Sequence, residues 1–189
     1  MATENSAQTG EAVKTTMWKH DPQHSRMEFL AKHMVIATVK GHFRDYVINV
    51  RTEGDNFETA EVEVIAQTVS IDTGISDRDN HLRSDDFFNS EKFPEMRFRS
   101  KSVGKIDDES FKLYGDLTIR DITKSIELNV EFGGMVGDPW GNTRAGFGVT
   151  GSIDRFDFGL KWNALIETGG AVVGKIIKIS ADIELVKQK

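Results

Sequence analysis

The chain has 189 residues, of which 38% are hydrophobic and 29% charged, so it fits one soluble domain with a full core and not a disordered chain. The net charge of −6 argues against non-specific binding to nucleic acid and against docking on anionic membranes, because both require a surplus of Lys and Arg. The absence of cysteine excludes disulfides, thiolate catalysis and cysteine-based metal sites.

Residues 1–16 are rich in small and polar side chains, and we expect a flexible arm there, followed by a single domain over residues 17–189. The arm lacks the basic start and apolar stretch of a signal peptide, so a cytoplasmic location is expected. The alternative is a periplasmic protein from whose sequence an export signal has been removed. No apolar run approaches the ~20 residues that a membrane-spanning helix needs.

Alternation of apolar and polar residues predicts β-strands from residue 17 onward, most clearly over Ile126–Phe132 and Ile177–Leu185. Less regular strands are predicted at Arg26–Lys32, His42–Arg51, Thr59–Gln67, Glu95–Val103, Ser110–Ile119 and Thr143–Asp154. Strands with one apolar and one polar face are typical of antiparallel sheets that cover a core on one side. About eight long strands of this kind favour a closed barrel, which can hold a small ligand inside.

One helix is predicted within this all-β pattern, at about Ser76–Ser84. Ser76 is its expected N-cap, and Asp77 and Asp79 fall in its first turn, where they favour the positive end of the helix dipole. A second short helix within Asp85–Ser90 is a further option.

The charged segment Arg78–Phe88, which includes most of this helix, ends in the adjacent aromatics Phe87 and Phe88. A connector that carries both charge and bulky apolar groups is typical of the rim or lid of a site. Asp85 and Asp86 could bind a cation or act as an acid–base pair. Neighbours on a helix diverge by about 100°, so we favour a solvated or helix-end role for them.

The histidines raise a metal-binding and a hydrolytic hypothesis; they are His20, His24, His33, His42 and His81. Their spacing matches no zinc pattern. Asp21, His24 and Ser25 suggest a hydrolytic triad, but Ser25 lacks a Gly-x-Ser-x-Gly elbow, and adjacent residues on a strand point to opposite faces. We therefore favour structural or solvent-facing roles for these groups.

The order of these segments resembles the YceI-like family, a lipocalin-like group of β-barrels that bind isoprenoids and other lipids. The resemblance spans roughly residues 18–185 and rests on Asp21–Ser25, His33, Gly41–Phe43, Arg78–Phe88, Phe93–Pro94, Gly115–Arg120 and Arg155–Gly159. It implies an all-β fold, an antiparallel eight-stranded lipocalin-like barrel with one or two short helices beside its mouth and a long apolar tunnel. Asp121 and Lys175 stand where the family usually has Gly and an acidic residue.

The resemblance also implies a function: non-catalytic binding, transport or storage of a long-chain amphiphilic lipid. Isoprenoid quinones, polyprenyl phosphates and fatty amides or acids are the ligand classes, and no cofactor or metal is implied besides the lipid. The residues expected to form the wall or rim are Phe29, Phe43, Phe87, Phe88, Phe98 and Trp162. The residues expected to hydrogen-bond at the headgroup or rim are His24, His33, Arg78 and His81.

Two other functions stay open at this point. One is an enzyme that acts on an isoprenoid-type lipid through His and Asp acid–base groups, and the other is a filled barrel that serves protein contacts. Exposed strand edges are also compatible with a homodimer. Nucleic acid is not an expected partner.

Overall fold

The computed structural model describes residues 14–164 and 172–189. In these ranges the chain forms eleven strands, one α-helix and two short 3-10 helices. The strands are β1 (Thr15–His20), β2 (Arg26–His33), β3 (Ala37–Phe43), β4 (Tyr46–Glu53), β5 (Asn56–Gln67), β6 (Ile71–Asp72), β7 (Glu95–Lys105), β8 (Ser110–Ile119), β9 (Ile122–Gly137), β10 (Thr143–Asp154) and β11 (Val173–Lys187). The helix α1 spans Ser76–Arg83, and the 3-10 helices span Thr68–Ser70 and Arg155–Phe158.

The sheet closes into an antiparallel barrel. Its neighbours run in the order β1, β4, β5, β7, β8, β9, β10 and β11, and β11 pairs back with β1, where Trp18 lies opposite Lys187. Further along, β11 pairs with β2, where Ile179 lies opposite Phe29. β1 and β2 thus share one edge of β11 and act as a single wall strand, bent at residues 21–25.

β3 and β4 form a second bent wall strand, because β3 pairs with β2 while β4 pairs with β1. The eleven strands therefore build the eight-stranded barrel that the sequence predicts. The predicted single strand His42–Arg51 is wrong at its centre, since Arg44 and Asp45 leave the ladder. Their backbone N–H groups donate to the carbonyl and the hydroxyl of Ser70, at 3.1 and 3.0 Å.

Two expectations for the helical region are also wrong. Ser76 is the first residue of α1 and not its N-cap, a position that Ile75 takes without any side-chain cap. Residues 85–88 form turns instead of a second helix. The predicted arm, residues 1–16, lies almost entirely outside the described residues, and Thr15 already begins β1.

The alternation of each strand sends its apolar side chains into the barrel. In β8 the side chains of Phe111, Leu113, Leu117 and Ile119 are all buried. Gly115 breaks that series, and a Cβ there would overlap the Phe98 ring of neighbouring β7. Glycine is needed at this position because the ring lies flat against the backbone.

The barrel has two different ends. The helix end carries α1, the 3-10 helix Arg155–Phe158 and the β2–β3 hairpin, whereas the turn end carries the tight β4–β5, β7–β8 and β9–β10 turns. Aromatic rings close the turn end: Phe57 lies 4.9 Å from Phe147 and 5.0 Å from Trp18 between ring centroids. Trp18 is fully buried, and its Nε1 donates to Thr52 Oγ1 at 3.0 Å.

Within the two described ranges, no helix combines the length and the apolar content that crossing a bilayer requires.

Candidate functional site

An apolar cavity of about 280 Å³ lies inside the barrel. In the described part of the chain, the charged residues on its lining are Glu28, Arg97 and Arg155. Glu28 forms an ion pair with the exposed Arg26, and Arg97 is itself exposed and pairs with Glu95, so the charged groups of Glu28 and Arg97 belong to the outer surface. The interior is therefore suited to hydrocarbon. Its volume is close to the lower end of the range for small-molecule pockets, about 300 Å³.

The structure places five of the six predicted aromatic residues on this lining; they are Phe29, Phe43, Phe87, Phe88 and Phe98. The sixth, Trp162, packs behind Phe87 with 5.5 Å between ring centroids. Phe43 meets Phe88 edge to face at 5.8 Å, so these rings form a contiguous apolar cover at the helix end. Their contact with a ligand stays a prediction.

His81 lies against this cover from outside. Its ring is edge-on to Phe87 at 5.1 Å and to Trp162 at 4.5 Å, between centroids. Its Nε2 is 2.8 Å from Asp86 Oδ2. His81 is thus the predicted polar residue that the structure brings to the helix-end aromatics, in hydrogen-bonding contact with a carboxylate.

Arg78 and its neighbours hold α1 in place. Arg78 Nε donates to Thr73 Oγ1 at 2.7 Å, and the buried Asp79 accepts from the backbone N–H of Thr73 at 2.8 Å. Arg83 donates to the carbonyls of Val69 and Ile71, both at 2.7 Å. The charged segment therefore ties α1 to the short strand β6 and the 3-10 helix before it.

The strand pairing of the barrel wall is incomplete beside this helix. β6 pairs with only His42 and Phe43 of β3, and the edge of β3 from Ala37 to Gly41 has no strand partner among the described residues. Side chains of α1 and of the turns after it cover the gap, with Leu82 and Phe88 packed on Phe43. Where neighbouring wall strands pair, a backbone ladder would have to break before the wall could part, whereas side chains close this gap, which makes it a candidate entrance.

His24 and His33 lie at opposite ends of the barrel. His33 ends β2 at the helix end, opposite Ala37 and Val173. His24 lies in the bend between β1 and β2, where its Nδ1 is 3.1 Å from Asp21 Oδ2. The predicted polar residues therefore do not form one headgroup site in the described structure.

The triad hypothesis fails on geometry. Ser25 Oγ accepts the backbone N–H of Glu184 at 3.1 Å and donates to the Glu184 carbonyl at 3.3 Å, so it bridges β2 to β11. The donor atoms of Asp21, His24 and Glu184 lie within 4.8 Å of one another, as a metal site would require. The guanidinium of Arg144 already pairs with both carboxylates, with Nη1 at 2.7 Å from Asp21 Oδ2.

The charged groups of this cluster at the turn end strongly shift one another's pKa values. Arg144 Nε also donates to Asp138 Oδ2 at 2.7 Å. Hydrogen bonds from the Arg144 guanidinium hold the pKa values of Asp21 and Asp138 well below their ordinary range and raise the pKa of Arg144. The cluster locks the bent strand to the β9–β10 turn.

Sequence reasoning missed the role of Arg155, which borders the cavity with 3% of its surface exposed. Its guanidinium donates to carbonyls on both sides of the segment that precedes β11: Leu160 and Trp162 before it, Val173 and Gly174 after it. Burial lowers the pKa of Arg155. The sequence did carry one signal for Arg155, because it begins the Arg155–Gly159 segment on which the family resemblance rests.

Three lining aromatics were also missed, Phe57, Phe111 and Phe147. Phe111 fits the alternation of β8 and could have been found. Phe57 could not, because it and Ala60 both line the cavity although they are three residues apart. An irregularity in the β4–β5 pairing, between Arg51 and Glu53, accompanies this change of phase.

Comparison with known proteins gives consistent matches along the chain. The profile of the YceI-like domain matches residues 18–185. The UPF0312 protein SAS2572 of Staphylococcus aureus (strain MSSA476) is 37% identical over 170 residues, which cover 89% of this chain and 96% of the relative.

Solved structures share the fold. A Campylobacter jejuni YceI protein superposes with a TM-score of 0.74 at 33% identity, covering 84% of this chain and 90% of that chain. BcnA of Burkholderia cenocepacia gives 0.76 at 16% identity, with 87% and 98% covered. A polyisoprenoid binding domain from Saccharophagus degradans gives 0.64 at 15% identity, with 89% and 97% covered. The last two are similar in fold alone.

Proposed function

This chain belongs to the YceI-like domain family, and we propose that it is a non-catalytic binding protein that holds a long-chain amphiphilic lipid in its barrel cavity. The observation that carries the proposal is the apolar cavity enclosed by the eight wall strands. Each CH₂ group that leaves water for such an interior gains about 0.8 kcal/mol, so the tail supplies most of the affinity.

We further propose that the ligand's polar head lies at the helix end. The turn end is closed by the packed rings of Trp18, Phe57 and Phe147, whereas the unpaired edge of β3 is at the helix end. Of the predicted polar residues, His33, Arg78 and His81 are at that end, and we propose that a headgroup contacts them there. The polyisoprenoid named for the Saccharophagus degradans domain makes an isoprenoid chain the first ligand class to test.

Binding is favoured over catalysis by the chemistry of the lining. A general acid or base must reach the reacting atoms, to within about 3 Å. On the described lining the charged group turned away from the outer surface is Arg155, and backbone carbonyls already accept from it. Transport or storage, a cytoplasmic location and a homodimer stay predictions.

The test is native mass spectrometry of the purified protein, followed by organic extraction and lipid analysis of the same sample. A stoichiometric long-chain species released on unfolding is the expected result. A bare mass that stays unchanged after incubation with quinones, polyprenyl phosphates and fatty amides would overturn the proposal and favour a barrel used for protein contacts.

A pair of variants shows whether the lipid is inside the barrel. Ala181 is buried on the lining, and Ala181→Phe fills the cavity, so we expect lipid stoichiometry to fall severalfold. The overpacking costs about 1–3 kcal/mol, which thermal unfolding monitors. Val47 is exposed, and Val47→Phe adds bulk outside the cavity as the control that keeps full binding.

A further inference from the structure

The tip of the β2–β3 hairpin presents bare apolar side chains. Val35 is 68% exposed and Ile36 is 86% exposed, and Met34 beside them is also exposed. The backbone φ values of Met34 and Val35 are +49° and +66°, a left-handed conformation that β-branched residues rarely adopt. The hairpin therefore accepts backbone strain and holds its apolar side chains away from the barrel core.

Other exposed apolar side chains lie on neighbouring elements at the same end. Ile75 precedes α1, Phe156 lies in the 3-10 helix after β10, and Ile176 is near the start of β11. The hairpin tip adds three consecutive exposed apolar residues to this end. A contiguous exposed apolar stretch of this kind marks an interaction surface, whereas isolated exposed apolar residues are ordinary.

A cationic face lies directly behind the tip. Leu30 on β2 is opposite Lys40 on β3 and Lys178 on β11, and Lys32 is two residues further along the same face of β2. All three lysines are exposed. Within the ranges that the structure describes, none of them has a carboxylate at ion-pair distance.

Three carboxylates near this face are already paired with other cations. Glu28 pairs with Arg26 at 2.9 Å, and Asp154 pairs with Lys175 at 3.2 Å. Asp72 pairs with Arg44. The outer face of the hairpin is therefore locally positive although the whole chain carries a net charge of −6.

We propose that this hairpin docks the protein on an anionic phospholipid bilayer, with Met34, Val35 and Ile36 inserted at the headgroup–acyl boundary and the lysines on the phosphates. Apolar side chains followed by basic residues suit that boundary, where anionic headgroups attract cations near the surface. Docking brings the unpaired edge of β3 to the bilayer, where a lipid enters or leaves without crossing water. That purpose rests on the proposed lipid binding, but the docking itself does not.

The test is co-sedimentation with vesicles of phosphatidylglycerol and phosphatidylcholine, and with vesicles of phosphatidylcholine alone. We expect binding to the anionic vesicles that salt weakens, and at least about tenfold weaker binding for the double variant Val35→Asp/Ile36→Asp. Ile106→Asp changes a 58% exposed isoleucine at the turn end and should bind like the wild type. Equal binding by all three proteins, or none by the wild type, would overturn the proposal.

Separate variants test the proposed role of the three lysines. Lys32→Gln, Lys40→Gln and Lys178→Gln combined should reduce binding to anionic vesicles and flatten its salt dependence. Lys19→Gln, an exposed lysine on β1 outside this face, is the control. An unchanged salt dependence in the triple variant would contradict the assignment of these lysines.

A ligand-delivery experiment separates the two proposals. A fluorescent polyprenyl lipid is offered either from anionic vesicles or from dilute ethanol. If Val35→Asp/Ile36→Asp binds it normally from ethanol but slowly from vesicles, both proposals stand. Vesicle binding without uptake by either route refutes the lipid-binding function and leaves docking intact. Equal uptake from vesicles by the double variant and the wild type refutes the role of docking in transfer.

Discussion

Arg155 carries a full charge into the apolar interior, and within the described ranges all hydrogen-bond acceptors of its guanidinium are backbone carbonyls. Its guanidinium bridges the carbonyls of Leu160 and Trp162 to those of Val173 and Gly174, so one side chain fixes both ends of the segment before β11. Lysine could donate to this set from only one nitrogen, and a substitution that keeps the charge would still lose the planar fork.

Arg155→Lys should therefore lower the free energy of unfolding by about 3 kcal/mol, since each buried carbonyl left without a donor costs about 1–3 kcal/mol. Urea denaturation followed by circular dichroism measures the change. Arg26→Lys, at an exposed ion pair, is the matched control and should change stability by less than about 0.5 kcal/mol. Equal effects of the two substitutions would contradict the bridging role.

The acidic cluster at Arg144 predicts a pH dependence. The folded-state pKa values of Asp21 and Asp138 are lowered by Arg144, so their stabilisation is complete above the unfolded value of about 3.9 and is lost as pH falls below it. The free energy of unfolding should thus decrease steadily from pH 5 towards pH 2. Urea denaturation across this range measures it, and Arg144→Gln should flatten the curve. Parallel curves for the two proteins would show that other carboxylates control acid unfolding.

Individual positions were predictable where the family resemblance and a strand coincide. Phe29, Phe43 and Phe98, which the resemblance implies as wall or rim residues, lie on strands and line the cavity. Trp162 follows a 3-10 helix in an irregular segment, where no period defines a face. His24 could not be placed because the bend at residues 21–25 depends on pairing with β11 and β4, which are distant in sequence.

At the scale of elements, α1 is a cover held by side chains over a gap in the backbone ladder. Arg83 ties it to Val69 and Ile71, and Leu82 and Phe88 seal it against Phe43. Because few backbone bonds hold this part of the wall, local opening should cost less here than in the strands.

Arg83→Met keeps much of the side-chain bulk but removes the hydrogen bonds to Ile71 of β6 and to Val69 in the 3-10 helix before it. We expect faster amide exchange in α1, unchanged exchange in β8, and faster uptake of a fluorescent lipid. Hydrogen-exchange mass spectrometry and stopped-flow fluorescence measure these effects. Arg51→Met, which breaks an exposed ion pair with Glu61 at the turn end, should leave all three unchanged. Slower uptake by Arg83→Met would contradict the entrance at α1.

Element boundaries were predictable where local pattern alone decides them. Ser110–Ile119 and Thr143–Asp154 match β8 and β10 in full. The optional second helix within residues 85–90 does not form, and residues 85–88 are turns. Arg120 Nη1 donates to the carbonyls of Asp85 and Phe87 in these turns, at 3.1 and 3.3 Å. Arg120 lies 35 and 33 positions further along the chain, so no local sequence pattern indicates these contacts.

At the scale of the molecule, Trp18 is part of the core and lies on the strand that closes the barrel. It is fully buried on β1, the strand that pairs with both β4 and β11. Trp18→Ala should cost about 3–5 kcal/mol, the usual penalty for emptying a large aromatic site. Trp140 is 79% exposed in the β9–β10 turn, so Trp140→Ala should change stability by less than about 0.5 kcal/mol. Thermal unfolding measures both, and similar midpoints would refute the role of Trp18.

The number of wall strands was predictable from composition and periodicity, but the distribution of charge was not. Net charge sums the whole chain, whereas Lys32, Lys40 and Lys178 meet on one face only through the registers of β2, β3 and β11. For that reason, a prediction against docking on anionic membranes that uses the net charge of the chain cannot detect a local surface of positive charge.

The pairing of β1 with β11 has a consequence for synthesis on the ribosome. The first wall strand pairs with the last, so the ring cannot close until residues 185–187 have emerged, and the apolar face of the unfinished sheet is exposed meanwhile. Such long-range pairing makes closure a slow step. A lipid of the proposed class that is present at that moment would be enclosed as the ring forms. We therefore expect the contents of a freshly made barrel to depend on where translation took place as well as on which ligand binds best.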